Sequence, residues 1–370
     1  MGEIIMKMFE LLERYDLTGD VKYVMPFGNG HINKTYLVST EMNKYVLQQI
    51  NTYVFKKPKQ VMHNIEVVTE QIRIASEAAG KDVMRSALKL VATKDGKSYI
   101  KLKKDFWRLY IFIADAKSYE LVEHAYQMYE VGKAVGIFQK QLHGFPVSKL
   151  FVTIPNFHNT PARYERFEES LKRDPKNRAF DAYNDVKFIK DRVEKMRIIT
   201  DLLDNKIVPY RVTHNDTKLN NVMFDNVTDK AICMVDLDTV MPGSVLFDFG
   251  DAIRIGASTA EEDEQDLSKV DINLEYFREF TRGFLKHTNG ILVQAELDNL
   301  VNSAFVICLE LGMRFLTDYI DGDKYFGIKR INHNLDRART QLKMAAEIED
   351  KYDQMVQIVE DVKKEFRITE

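Results

Sequence analysis

Hydrophobic and polar positions divide the chain into an early part with strand-like alternation and a later part with helix-like spacing. A first amphipathic helix is expected at about residues 4–15, and short apolar runs bounded by turn residues follow it. The runs that predict strands lie at residues 21–25, 35–39, 45–49, 88–93, 97–102 and 106–113. Since Lys94-Asp95-Gly96 is a hairpin turn signal, the fourth and fifth of these strands are expected to pair.

Helical spacing interrupts the strands once and dominates the chain after residue 119. A stripe of apolar residues at spacings of four, three and four begins after Pro58 and predicts a helix that ends before Gly80. Further helices are predicted at about residues 119–141, 187–205, 273–288, 294–318 and 335–366. This order predicts an α+β fold with a small antiparallel β lobe, including one helix, at residues 1–115 and a large, mainly α-helical lobe at residues 116–370.

Composition is that of an ordinary globular protein and argues against several classes of function. Apolar residues make up 45% and charged residues 29% of the 370 positions, and the net charge of −3 gives no broad basic surface for nucleic acid. No apolar run reaches the roughly 18 residues of a membrane span, and the N-terminus lacks the apolar core of a signal peptide. Two cysteines, Cys233 and Cys308, are too few for a disulfide framework, so a reducing, cytoplasmic location is expected.

The densest candidate chemistry lies in the stretch 213–238. Its first polar members follow the spacing H-x-D-x-x-x-x-N and are His214, Asp216 and Asn221. An apolar run then leads to Asp236, 20 positions after Asp216, and to Asp238. This pattern is typical of a kinase-like phosphotransfer site, where one acid lies near the attacking hydroxyl and an amide and a second acid hold Mg²⁺ on the phosphates of ATP.

Each of these residue types suits one part of phosphoryl transfer, in which a protein mainly positions groups and neutralises charge. Asp216 is the candidate to orient the acceptor hydroxyl and to accept its proton. Because Mg²⁺ prefers a few oxygen ligands from protein, Asn221 and Asp236 are the candidate metal ligands. The apolar runs at residues 222–224 and 231–235 predict a hairpin, which would return Asp236 towards the loop that holds Asp216.

A glycine-rich turn between the first two predicted strands is a candidate lid over a nucleotide, since glycines let backbone amides approach a phosphate closely. Its candidate nucleotide-binding residues are Gly28, Asn29, Gly30, His31 and Asn33. The same letters are also an ordinary hairpin turn, so the turn is informative only together with the downstream acids.

The third predicted strand carries Gln48 where kinases carry a lysine that contacts the α and β phosphates. Gln48 can donate a hydrogen bond but has no charge, and Lys44, Lys56 and Lys57 are the nearby lysines that could supply one. The run at residues 106–113 leads into a predicted hinge, where the backbone near Ile113 would hold adenine.

Three further features bear on the acceptor and on the catalytic loop. The polar, aromatic-rich segment 145–182 is long for a plain connector and is a candidate for acceptor contacts. Asp248 is expected to brace the catalytic loop. Asp251 and Arg254 are expected to pair if the segment is helical.

Together these segments resemble the aminoglycoside-phosphotransferase and choline-kinase superfamily, which has a protein-kinase-like fold, and more closely the N-acetylhexosamine 1-kinases. The resemblance covers residues 28–326 and is carried by GNGHINKTYLV, YVLQQINTYVFKKP, HNDTKLNNVMFD, VDLDTVMPGSVLFDFGDAIR and RFLTDYIDGDKYF. It implies ATP and Mg²⁺ as cofactors and a small-molecule sugar as substrate. The reaction it implies moves the γ-phosphate to the anomeric hydroxyl of N-acetylglucosamine or N-acetylgalactosamine.

By position, the resemblance implies that Asp216 is catalytic and that Asn221 and Asp236 bind Mg²⁺. Polar groups and an aromatic face suit a sugar, so the candidate acceptor-binding residues are His31, Asp216, Arg314 and Tyr325. Two alternatives stay open. The first is an enzyme of the same fold that acts on an aminoglycoside, choline, homoserine or another hexose. The second, motivated by Gln48, is a nucleotide-binding protein without turnover.

Overall fold

The structure is a computed structural model, and it describes residues 8–28 and 32–368. The chain forms two compact units. The first unit comprises residues 1–117, 144–154 and 223–241, and the second comprises residues 118–143, 155–222 and 242–370. The division into lobes at 1–115 and 116–370 stays a prediction.

Strands are concentrated in the first unit, and most of the helices lie in the second. The strands of the described residues are β1 Val21–Pro26, β2 Lys34–Thr40, β3 Lys44–Ile50, β4 Tyr99–Leu102, β5 Asp105–Ile111, β6 Ala116–Lys117, β7 Arg211–Thr213, β8 Val222–Asp225, β9 Ala231–Met234 and β10 Met241–Gly243. Residues 8–12 are helical as well. The other helices are α1 Pro58–Ala78, α2 Val83–Ser86, α3 Ala125–Gln141, α4 Thr160–Arg173, α5 Tyr183–Lys190, α6 Val193–Met196, α7 Ile198–Asp204, α8 Val245–Gly256, α9 Leu274–Thr288, α10 Gln294–Leu297, α11 Leu300–Asp321, α12 His333–Asp350 and α13 Tyr352–Glu365.

The first unit is built on a five-stranded antiparallel sheet in the order β1-β2-β3-β5-β4. Side chains alternate between its faces, so Leu47 and Leu109 are fully buried in one core cluster while their neighbours Gln48 and Arg108 face the other side. The apolar stripe of α1 is buried as its spacing predicts. An antiparallel sheet followed by a mainly helical remainder confirms the α+β prediction.

The predicted hairpin after the catalytic loop is also present, as β8 and β9 are neighbours in a second sheet with β6. The backbone N–H of Asp225 donates to the carbonyl oxygen of Lys230 at 2.9 Å, which closes the turn between them. On the other edge, Ala116 of β6 pairs with Asp225. Asp236 follows β9 directly, as the sequence predicts.

Several predicted boundaries are wrong, each for a local reason. Residues 88–93 do not form a regular strand with β4, because their backbone bonds go to the end of β5 that β4 leaves uncovered, with Val91 N–H donating to Leu109 O at 2.8 Å. The helix expected from residue 119 begins at Ala125, because the Gln127 side chain accepts hydrogen bonds from the backbone N–H groups of Glu123 and His124. The predicted helices 187–205 and 335–366 are both interrupted, the second at Lys351.

The second unit has α11 at its centre, packed against α4, α8 and α12. By length and composition α11 could cross a membrane, but 83% of its most apolar window is buried inside the structure, as in the core helix of a globular domain. Next to it, the ring of Phe249 lies edge-on to three phenylalanines of α9.

Both cysteines are free and buried. Burial raises the pKa of the Cys233 thiol, and likewise that of Cys308, to about 12. Both thiols are therefore protonated at neutral pH, which agrees with the role of inert core residues.

Helices α3 and α9 cross very closely because glycines stand at the crossing. A Cβ atom on Gly283 would lie 2.0 Å from the carbonyl oxygen of Tyr129, and one on Gly132 would lie 2.1 Å from that of Phe280. Both neighbours are backbone atoms of the facing helix, so they cannot rotate away. The crossing distance is thus set by the lack of side chains at these positions.

We expect Gly283→Ala to lower the free energy of unfolding by about 3 kcal/mol, because the new methyl group forces the two helices apart. Urea unfolding followed by circular dichroism measures the change. Gly327→Ala is the matched control, since a Cβ there meets nothing within 4 Å, and its stability should stay within about 0.5 kcal/mol of wild type. Equal stabilities of the two variants would contradict the close crossing.

Candidate functional site

The loop after β7 carries the candidate catalytic aspartate, whose side chain is 26% exposed. The Asn221 side chain donates through Nδ2 to Asp216 Oδ2 at 2.8 Å and to the Asp216 carbonyl oxygen at 2.9 Å. Lys218 Nζ lies 3.0 Å from the same Oδ2. These two donors fix the orientation of the carboxylate. Among the described residues no hydrogen bond reaches Asp216 Oδ1, so this oxygen is the one that can face an acceptor hydroxyl.

The backbone of this loop is held by Asp248, near the start of α8, which is fully buried. Its carboxylate accepts hydrogen bonds from the N–H groups of His214 at 3.0 Å and Asn215 at 2.7 Å, and from the Gln139 side chain at 2.8 Å. Thr217 donates to the Asp248 carbonyl oxygen at 2.6 Å. Burial raises the pKa of Asp248, and these donors with the nearby His214 act against that rise. The prediction that Asp248 braces the catalytic loop is confirmed.

Asp251 continues this support one turn further along α8. Its Oδ2 accepts from the backbone N–H of Thr217 at 3.0 Å, and its Oδ1 accepts from Arg254 Nε and Nη2 at 3.2 and 3.0 Å. The predicted pairing of Asp251 with Arg254 is therefore confirmed. Two consecutive turns of α8 thus hold the backbone on the N-terminal side of Asp216 and directly after it.

Asp236 lies exposed just after β9 and adopts a left-handed conformation with a φ of +60°. A short 3₁₀ turn, Leu237–Thr239, begins directly after it. Its donor chemistry fits Mg²⁺, and so does that of Asn221 in the second unit, whose Nδ2 is used by Asp216 and whose carbonyl oxygen would be the ligand. No group of three or more His, Cys, Asp or Glu residues within 8–28 and 32–368 is placed to hold a metal ion.

The glycine-rich turn is described only at its ends. Gly28 has a φ of +74°, which a residue with a side chain rarely adopts, and a Cβ there would meet no atom within 4 Å. The candidate nucleotide-binding residues Asn29, Gly30 and His31, the last also a candidate for the acceptor, lie outside the described residues. Asn33 is anchored to the protein on both sides, as its Nδ2 donates to Asp238 at 2.5 Å and its Oδ1 accepts from the Asn51 N–H at 2.9 Å.

Gln48 is fully engaged within the sheet. Its Oε1 accepts from Arg108 Nε at 2.9 Å and Nη2 at 2.8 Å, and its Nε2 donates to Thr35 Oγ1 at 3.1 Å. These three residues are direct cross-strand partners on β2, β3 and β5. Position 48 therefore has no lysine but lies next to the guanidinium of Arg108.

Arg108 is a site residue that the sequence analysis did not single out, and it pairs with Asp238, which that analysis placed at the end of the motif stretch without a role. Arg108 is a charged residue inside the apolar run 106–113, which is a visible signal for a buried and paired side chain. The nearby lysines do not reach Gln48: Lys44 and Lys56 lie over the rings of Phe112 and Tyr53. Lys57 is exposed.

Other side chains of the first unit take ordinary places. Glu66 of α1 binds Ser98, and Glu70 pairs with Arg73 on the surface of the same helix. Ile113, the candidate adenine contact, is buried just after β5.

In the second unit, the candidate acceptor residue Arg314 projects from α11 between two aromatic rings. Its guanidinium lies 5.8 Å from the ring centre of Phe157 and 5.6 Å from that of Phe326, and 3.9 Å from the Glu310 carboxylate. Glu310 is fully buried and also binds His158 Nδ1 at 3.1 Å and Thr160 Oγ1 at 2.9 Å.

Tyr325, the other candidate from this region, is 60% exposed in the loop after α11. The Asp318 carboxylate accepts hydrogen bonds from the backbone N–H groups of Lys324, Tyr325 and Phe326 at 2.8 to 2.9 Å, and from the Asn334 side chain at 3.0 Å. The loop is thus fixed around one buried acid, while the tyrosine ring remains accessible.

Solved structures share this fold at low sequence identity. An aminoglycoside phosphotransferase from Alicyclobacillus acidocaldarius matches with a TM-score of 0.63 at 11% identity, over 95% of each chain. A choline kinase from Cryptosporidium parvum matches with a TM-score of 0.59 at 15% identity, over 98% of this chain and 99% of its own. A spectinomycin phosphotransferase in complex with ADP and spectinomycin has a TM-score of 0.56 at 15% identity, over 97% of this chain and 98% of its own.

A model of the phosphotransferase enzyme family matches residues 24–283, which is more than half of the 370 residues. The matched part contains the antiparallel sheet, the loop of Asp216 and the turn of Asp236. The predicted protein-kinase-like fold is confirmed by this match and by the solved structures. On this ground the chain belongs to the phosphotransferase enzyme family.

Proposed function

We propose that this protein is an ATP- and Mg²⁺-dependent kinase that transfers the γ-phosphate to the anomeric hydroxyl of N-acetylglucosamine or N-acetylgalactosamine. The observation that carries the proposal is the partly exposed Asp216 carboxylate, oriented by Asn221 on a loop that Asp248 braces, in a chain of the phosphotransferase family. ATP is supported by a spectinomycin phosphotransferase of the same fold that holds ADP.

In the proposed reaction the acceptor oxygen attacks the γ-phosphorus while the bond from that phosphorus to the bridging oxygen of ADP breaks. The acceptor hydroxyl loses its proton to Asp216, and the products are the sugar 1-phosphate and ADP. Asn221 and Asp236 would hold Mg²⁺, which neutralises charge on the phosphates when bound. Asn221 would then serve twice, since its amide nitrogen orients Asp216 and its oxygen would be available as a metal ligand.

The charges around Arg314 favour a neutral acceptor. Arg163, Arg314 and His158 surround a single acid, Glu310. Burial lowers the pKa of Arg163, and the nearby charge of Arg314 lowers it further. A cationic acceptor such as choline or an aminoglycoside would meet the same repulsion, whereas an uncharged sugar with an acetamido group would accept hydrogen bonds from arginine and pack on Tyr325.

Two alternatives remain distinguishable by experiment. One is a phosphotransferase for another alcohol, such as an aminoglycoside, choline, homoserine or another hexose. The other is a nucleotide-binding protein without turnover. A cytoplasmic location and the lack of nucleic-acid and membrane partners stay predictions.

We expect Mg²⁺-dependent ADP release with N-acetylglucosamine and N-acetylgalactosamine, and sugar 1-phosphate as the product. A coupled ADP assay over these two sugars, galactose, glucose, choline, homoserine and kanamycin measures the preference. Little release should occur with the cationic acceptors, because of the two arginines near Glu310. Preferential turnover of choline or kanamycin would contradict the substrate, and nucleotide binding without any turnover would favour the binding protein.

Asp216→Asn should lower kcat by about 10²- to 10⁴-fold, because the amide cannot accept the acceptor's proton, while nucleotide affinity changes little. Steady-state kinetics with the preferred acceptor and titration with ADP separate the two effects. Asp20→Asn is the control, since it removes the same charge at an exposed position whose side chain forms no hydrogen bond with the described part of the chain. A kcat for Asp216→Asn near that of wild type would rule out the role given to this carboxylate.

Glu310→Gln should lower stability at neutral pH but much less in acid. Although burial acts to raise the pKa of Glu310, the charges of His158, Arg314 and Arg163 and the hydrogen bond from His158 lower it overall. Because the pKa of Glu310 is lower in the folded protein than the value of about 4.3 in the unfolded chain, its ionised carboxylate stabilises the fold at pH values above about 4.3. This stabilisation is lost as the pH falls through the pKa of the folded protein. We expect a loss of about 3 kcal/mol at pH near 7.

Urea unfolding of wild type and Glu310→Gln across the range from neutral to acid pH measures this difference. The exposed Glu123→Gln is the control and should unfold like wild type at every pH. A difference between wild type and Glu310→Gln that grows towards acid pH would contradict the direction of the pKa shift.

A further inference from the structure

Arg108, the cation next to Gln48, is buried and bonds only to other protein groups. Arg108 is 1% exposed, and its Nε and Nη2 are both committed to Gln48. Its remaining nitrogen, Nη1, forms an ion pair with Asp238 Oδ1, and the Asp238 side chain is 4% exposed. Burial acts to lower the pKa of Arg108, but the charge of Asp238, with smaller effects from Tyr110 and Asp236, raises it. Arg108 is therefore a permanent cation that no ligand can reach.

Asp238 connects this arginine to the end of the glycine-rich turn. While Oδ1 binds Arg108, Oδ2 accepts from Asn33 Nδ2 at 2.5 Å. Asn33 is held from its other side by the N–H of Asn51, whose own side chain donates to the Ile32 carbonyl oxygen at 3.1 Å. The last residues of the turn thus have one fixed position relative to the buried pair.

The same acid also lies in the turn that sets the position of Asp236. A non-glycine residue with a φ of +60° persists only where its surroundings fix it. The residues that follow Asp236 are held at two points: Asp238 by Arg108, and the Val240 carbonyl oxygen by the buried side chain of Asn64 at 2.8 Å. Because Asp238 lies two residues after Asp236, the buried pair helps to fix the backbone from which Asp236 projects.

We propose that Arg108 and Asp238 are positioning residues that couple Mg²⁺ binding to nucleotide binding. They hold the proposed metal ligand Asp236 and the candidate nucleotide-binding residue Asn33 in one arrangement, so a metal ion at Asp236 and a nucleotide next to Asn33 each favour the geometry that the other needs. The inference rests on the nucleotide and Mg²⁺ part of the proposed function and not on the acceptor.

The test measures ADP affinity of the full chain by isothermal titration calorimetry, in excess EDTA and in excess Mg²⁺. For Asp238→Asn we expect the gain in affinity caused by Mg²⁺ to fall by about tenfold or more, as for other residues that orient a metal ligand. The affinity in EDTA should change by less than about threefold, because the nucleotide contacts themselves remain. Arg108→Lys keeps the charge but loses the planar fork to Gln48, so it should reduce the same gain by a smaller factor. It carries the test by itself if Asp238→Asn does not fold.

Leu109→Ala is the matched control. Leu109 is the next residue on β5, is fully buried and faces the opposite core cluster, so its truncation lowers stability without touching the pair. Its gain in ADP affinity from Mg²⁺ should equal that of wild type.

Three results would overturn the inference. The first is an increase in ADP affinity with Mg²⁺ that is as large in both Asp238→Asn and Arg108→Lys as in wild type. The second is an equal loss of that gain in Leu109→Ala, which would mean that any destabilised sheet loses it. The third is a wild-type protein whose ADP affinity does not respond to Mg²⁺. Because no acceptor is used, none of these depends on which alcohol the protein phosphorylates.

Discussion

The second unit depends on a buried carboxylate whose charge is stabilised by protein donors in place of water. Asp248 accepts hydrogen bonds from two backbone N–H groups of the catalytic loop and from Gln139, and moving the loop away would remove two of these three donors from a buried carboxylate. The loop therefore cannot leave α8 without a large cost. This constraint is what allows Asp216, on the same loop, to remain partly exposed and still keep a defined orientation.

The same arrangement recurs at other parts of the proposed site. Asp318 in the second unit collects donors from the short loop that presents the exposed Tyr325. Asp238 in the first unit binds the side chains of Arg108 and Asn33 and lies in the short turn that begins after the exposed Asp236. In both units a buried acid fixes a backbone segment that carries an exposed residue. The buried acids that fix the backbone are thus different residues from the more exposed acids that are proposed to contact ligands, Asp216 and Asp236.

Local patterns predicted most of the elements and the acids of the catalytic loop, because periodicity and spacing are properties of short segments. The stripe of α1 and the hairpin of β8 and β9 are examples. Boundaries were missed where one side chain decides, as Gln127 does at the start of α3. Arg108 was missed because its meaning depends on the pairing of β5 with β3, which places it opposite Gln48, 60 positions away in sequence.

A cation on β5, such as Arg108, differs in its possible contacts from a lysine at position 48 on β3. A lysine on β3 would be a mobile point charge able to contact a phosphate, whereas Arg108 is buried, planar and neutralised by Asp238. Position 48 therefore offers the phosphates no positive charge. Under the proposed function, Mg²⁺ would therefore carry a larger share in balancing the negative charge of the phosphates than it would with a lysine at position 48. Under the same proposal, the lack of a lysine and the larger share of Mg²⁺ have one structural origin, because the Arg108–Asp238 pair also fixes the turn that begins after Asp236.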